Sequence, residues 1–98
     1  MTATAVVVTG HSRGIGAAIA HELLARDIPV LAIARHGNAE LAKRFGSRLH
    51  EVALDLSDAT TVAQWLGAGA MQAFLAGFET AALVNNAGLL QPIGPLET

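Results

Sequence analysis

Thr9-Gly10-His11-Ser12-Arg13-Gly14-Ile15-Gly16 follows directly on an apolar run at residues 5–8 and leads into a helical pattern. The run reads as a buried strand. Over residues 15–26 apolar side chains recur at Ile15, Ile19, Leu23 and Leu24 with polar ones between, the period of an amphipathic helix. The connecting turn holds three glycines within residues 10–16. Such a turn lets a pyrophosphate sit on bare backbone N–H groups at the positive end of the helix dipole. The stretch therefore predicts a dinucleotide site.

Outward from that turn, strand and helix alternate. Asp27-Ile28-Pro29 reads as a turn and residues 30–34 as a second apolar strand. Residues 39–45 are a short helix with Gly46 as its stop. A third strand spans residues 49–54, interrupted by the polar pair His50 and Glu51. Ser57 offers an N-cap hydroxyl for a helix starting at about Asp58, itself well placed in the first turn. Val62, Trp65, Leu66, Phe74 and Phe78 fall on roughly one face of it and read as core, while Gly67 and Gly69 predict a break. A fourth strand at residues 81–84 ends at Asn85-Asn86-Ala87-Gly88, and Pro92, Gly94 and Pro95 make the tail irregular. Four strands joined by right-handed helical crossovers give a parallel α/β sheet with helices on both faces.

Composition agrees. A chain of 98 residues makes one small domain, able to bury about two-thirds of its unfolded surface. Its 52% hydrophobic content suits strands covered on both faces. A net charge of −2 argues against a nucleic-acid surface, and the absence of cysteine excludes disulfides and thiolate metal sites. The four histidines show no ligand spacing, so no metal is expected. His21, His36 and His50 read as surface or strand-edge residues. With no basic n-region before the first apolar run and no apolar stretch near the ~20 residues of a membrane span, a cytoplasmic protein is the expectation.

Three motifs, each at the carboxyl end of an expected strand, make the reading specific. Thr-Gly-x-x-x-Gly-x-Gly at 9–16, Asp55-Leu56-Ser57-Asp58 after strand three and Asn85-Asn86-Ala87-Gly88 after strand four together resemble the short-chain dehydrogenase/reductase family. The glycine spacing resembles its compact branch and not the sugar-nucleotide epimerases. The resemblance implies a Rossmann-type doubly wound parallel sheet, partial here, with strand order 3-2-1-4. It also implies an oxidoreductase that moves hydride between carbonyl and alcohol with a nicotinamide cofactor. Residues 1–98 would then form one NAD(P)-binding domain, cut before the catalytic half.

In this reading Gly10 makes the turn, Gly14 lets the pyrophosphate approach, and Gly16 lets the helix pack close to the strand. His11, Ser12, Arg13 and Ile15 belong to the same phosphate-binding stretch, with Ser12 and Arg13 offering a hydroxyl, backbone donors and a cation. Strand two ends in Ala34-Arg35 without the acid that usually holds an unphosphorylated ribose. Arg13 and Arg35 could converge on the 2′-phosphate of NADP, favouring it over NAD; the plainer alternative is two solvated surface charges. Asp55 could be a turn residue; by resemblance it accepts from the adenine amino group, with Leu56 lining the ring. Asn85 and Asn86 could brace the sheet, while Asn86, Ala87 and Gly88 pass near the nicotinamide-side ribose.

The family's acid–base tyrosine, its lysine four residues on, and the accompanying serine and asparagine are not matched here. The chain has no tyrosine, and its only lysine is Lys43. No catalytic residue is assigned, and the 98 residues alone are expected to be inactive. The expected partners are the dinucleotide and either further copies or a complementing C-terminal half, with neither nucleic acid nor membrane. The alternative is a non-catalytic nucleotide-binding or partner-docking module.

Overall fold

The computed structural model describes residues 4–86. In chain order they form β1 (Thr4–Thr9), α1 (Gly14–Ala25), β2 (Val30–Ala34), α2 (Ala39–Phe45), a 3-10 turn (Gly46–Arg48), β3 (Leu49–Ala53), α3 (Ala59–Gly67), α4 (Ala70–Leu75) and β4 (Thr80–Asn85). The four strands make one sheet in the order β3-β2-β1-β4. All pairings are parallel, with Val7 beside Leu31 on one side and Leu83 on the other. This is the Rossmann-type arrangement.

β2 shows why the central strands are unbroken apolar runs. It has a strand on either edge and helices on either face, and Val30, Leu31, Ala32, Ile33 and Ala34 are all buried. Alternation along the pleat sends Val6, Val8, Val30, Ala32 and Leu49 to one side, against Ala20 and Leu24 of α1 and Leu41 of α2. Val7, Leu31, Ile33 and Leu54 face the other, against Val62, Trp65, Met71, Phe74 and Leu75. Fully burying a Leu or Val side chain stabilises by about 1.5–3 kcal/mol, so these two layers hold the sheet between its helices.

Three local expectations are corrected. The buried stripe of α1 is Gly16, Ala20 and Leu24 at four-residue spacing, and Ile15 is 60% exposed. Close contact of Gly16 with the turn beneath sets the helix rotation, and a residue one position earlier lies about 100° away. Leu66 is likewise turned out beside Trp65, at 41% exposed. The N-cap of α3 is Asp58, not Ser57: Asp58 Oδ1 accepts from Thr61 N at 3.1 Å, while the Ser57 hydroxyl is spent on Asp55. The expected break falls as read, with Gly69 at φ +88° opening α4.

β4 differs from its neighbours. Among the described residues it is an edge strand, and Leu83 is 66% exposed. Among the described residues no helix is long and apolar enough to cross a membrane.

Candidate cofactor cleft

The site grows from the end of β1. Gly10 N donates to Ile33 O at 2.8 Å, extending the ladder one residue beyond the strand. The chain then reverses through Gly10 at φ +77° and enters α1 through Gly14 at φ +64°, conformations that disfavour any side chain. Gly16 is required for another reason. A Cβ there would lie far inside contact distance of the Gly10 carbonyl oxygen and 2.6 Å from Asn86 Nδ2. That amide donates to Gly10 O at 3.1 Å, and Thr9 Oγ1 donates to Asn85 Oδ1 at 3.0 Å. Both asparagine side chains therefore brace β4 against the turn. Ala87 and Gly88 lie outside the described residues.

The helix ends around this turn are unequal. α2 is capped by Asn38, whose Oδ1 accepts from Leu41 N at 3.1 Å, and α3 by Asp58, which also takes the Thr61 hydroxyl at 2.8 Å. α1 starts after Arg13 in extended conformation, with no side-chain cap bond and no acid in its first turn. Its opening N–H groups are left for something else. The space above Gly14 is open, since a Cβ built there meets nothing within 4 Å.

Beside the glycine turn lies a cleft of about 760 Å³. The glycine turn contributes Gly10, Ser12 and Arg13 to its wall. The end of β2 adds Ile33, Ala34, Arg35, His36 and Gly37, and the end of β3 adds Leu54, Asp55, Leu56 and Ser57. It opens at the carboxyl ends of the strands, where open α/β sheets bind their ligands. Arg13 and Arg35, far apart in sequence, line the same space. Asp55 Oδ1 accepts from the Ser57 hydroxyl at 2.6 Å and from Ser57 N at 2.9 Å. The hydroxyl, then the N–H, and more weakly the charge of Arg35 hold its carboxyl below the usual range. Asp55 is thus an acceptor at neutral pH, suited to an amino group.

Not every residue of the motif reaches the cleft. The His11 side chain is fully buried, with Nε2 2.6 Å from Glu51 Oε2. Ile15 is exposed and is absent from the cleft wall. His36, read as surface, does line the cleft. Two participants had not been singled out: Glu51 and Asn38, which meet behind the turn. An asparagine just before a helical run is a recognisable cap signal; Glu51 gave none beyond an ionisable residue inside a strand. Among the described residues no cluster of His, Asp or Glu could hold a metal ion.

A parallel sheet of order 3-2-1-4, with a glycine turn feeding an uncapped helix end, defines a Rossmann-type domain. Residues 4–98 match the family described as short chain dehydrogenase; the chain belongs to that family. It is 33% identical over 95 residues to a benzil reductase ((S)-benzoin forming) of Bacillus cereus, covering 94% of this chain and 38% of that protein. Among solved structures, a short-chain dehydrogenase/reductase from Burkholderia vietnamiensis superposes with a TM-score of 0.87 at 47% identity, over 97% of this chain and 44% of that one. ElxO with NADP bound superposes with a TM-score of 0.63 at 29% identity, over 100% of this chain and 40% of that one. The chain thus spans less than half the length of these relatives.

Proposed function

We propose that this chain is the cofactor-binding part of an NADP-dependent short-chain oxidoreductase acting on a carbonyl/alcohol pair. The observation that carries the reading is the cleft itself: an uncapped helix end flanked by Arg13 and Arg35, with no acid at the end of β2. The bare N–H groups of α1 and the open space above Gly14 fit a pyrophosphate. Arg13 and Arg35 would clamp a 2′-phosphate, which a guanidinium can grip with two parallel hydrogen bonds. Ionised Asp55 would accept from the adenine amino group while Leu56 covers the ring, and Asn86, Ala87 and Gly88 would run beside the nicotinamide ribose. His11 would act from behind the turn, through the backbone path that its contact with Glu51 holds, and Ile15 through its backbone at the start of α1. When bound, the nicotinamide supplies or accepts the hydride. ElxO, a structural relative, has NADP bound.

The proton-transfer groups of the family have no counterpart here, since the sequence lacks tyrosine and its single lysine is Lys43. Residues 1–98 alone are therefore proposed to bind cofactor without turnover. The test is a fluorescence titration of the protein expressed from its full reading frame with NADPH and with NADH. Tighter binding of NADPH is expected, and Arg35→Asp should move the preference towards NADH. Equal affinity for the two would defeat the assignment.

A further inference from the structure

Glu51 is an acidic residue on the outer strand β3, and the cleft does not account for it. Its side chain reaches to the back of the glycine turn. Oε2 accepts the backbone N–H of Asn38 at 2.6 Å and lies 2.6 Å from His11 Nε2. A carboxylate only accepts, so Nε2 is the donor in this contact, while Nδ1 is buried without a hydrogen-bond partner among the described residues. Asn38 closes the ring, its Nδ2 donating to the carbonyls of His11 and Ser12 at 3.3 Å each. The loop after β2 rests on the same carboxylate: a Cβ on Gly37 would come within 3.1 Å of Glu51 Oε2.

These contacts join two segments that continue the neighbouring strands β1 and β2. One is the glycine turn, where His11 and Ser12 immediately precede Arg13. The other is the loop where Arg35 precedes His36, Gly37 and Asn38. Both arginines are exposed, and among the described residues neither makes an ion pair. Two like charges at the mouth of one cleft repel, and nothing in their own side chains fixes their separation. The tie behind them links the two segments that carry them. Both of its donors fall on Oε2, one from each segment.

We propose that Glu51 is a positioning residue for cofactor choice: by tying His11 to Asn38 it holds Arg13 and Arg35 at the spacing that a 2′-phosphate needs. The proposal rests on the NADP reading above. It requires that Glu51 act through the arginines and not through general stability.

A double-mutant cycle on the protein from its full reading frame separates these cases. Dissociation constants for NADPH and NADH are measured for the wild type, Glu51→Ala, Arg35→Ala and the double variant. Glu51→Ala should lower the NADPH-over-NADH affinity ratio by about tenfold while leaving NADH binding within about twofold, and should change nothing further once Arg35 is gone. A ratio unchanged in Glu51→Ala, or one lowered equally in both backgrounds, overturns the proposal. If Glu51→Ala does not fold, Glu51→Asp withdraws the same charge by one methylene. It should lower the ratio by about threefold, and an unaltered ratio again overturns the proposal. A wild type that shows no preference for NADPH removes both readings. A preference that survives the loss of Glu51 removes this one alone.

Discussion

The amino ends of α1 and α3 are built from the same backbone and treated in opposite ways. At α3, Asp58 turns back on Thr61 and satisfies both its N–H and its hydroxyl. At α1, Arg13 stands extended and no side chain caps the helix. Both follow segments that line the cleft, yet only one is capped by a side chain. A helix end that completes its own hydrogen bonds is a structural device, whereas one that leaves its donors open beside two cations is a place for an anion.

The contrast can be broken most severely at Gly16. Gly16→Val would drive side-chain atoms into the Gly10 carbonyl and the Asn86 amide, so α1 could not close on β1. We expect a loss of more than about 3 kcal/mol, read as failure to show a cooperative urea transition. Gly14→Ala is the sharper probe. Its methyl group meets nothing within 4 Å, so the cost to the fold is only that of a left-handed residue, about 1–2 kcal/mol. It would intrude on the proposed pyrophosphate seat, and NADPH affinity should fall by at least about tenfold, equivalent to about 1.4 kcal/mol. Calorimetry should find the affinity loss in the binding of inorganic pyrophosphate as well.

The smallest effect concerns acid. Asp58 is held below its ordinary value of 3.8, first by the Thr61 hydroxyl and then by the Thr61 N–H. A depressed carboxyl stabilises the fold fully above that ordinary value, and its contribution is lost as pH falls through the folded value. Amide exchange at the start of α3 should therefore quicken below about pH 3.8. Asp58→Asn, a cap that cannot titrate, should flatten that response. The start of α1 has no carboxylate in its first turn and should show no matching step.

Much of this was legible because it depends on local rules. β2 and α2 lie where residues 30–34 and 39–45 placed them, since an apolar run between turns and a short periodic segment before a glycine are local signals. The glycine turn was legible because only glycine meets its backbone demands. The misreadings share a different origin. Ile15 and Leu66 follow a helical period, but rotation about the helix axis is set by contacts that periodicity does not contain. Ser57 and Asp58 are both capping residues, and the choice fell to Asp58 once Asp55 had engaged the Ser57 hydroxyl. Glu51 was invisible as a functional residue because its partners come from the loops after β1 and β2, and sequence spacing does not show that they converge.

The brace between Thr9 and Asn85 closes a separation of 76 residues. Bringing such distant segments together costs about 4 kcal/mol of chain entropy by the logarithmic law, before any contact between them is made. β1 can pair with β2 much earlier, once a single crossover helix has formed. During synthesis, then, the glycine turn, both arginines and the tie through Glu51 can assemble while the partner strand on the other side of β1 is still unmade. The carbonyl of Gly10 waits for Asn86 to arrive. Of the two strands flanking β1, the one that must come from farther along the chain is also the one whose neighbouring Asn86 holds the turn.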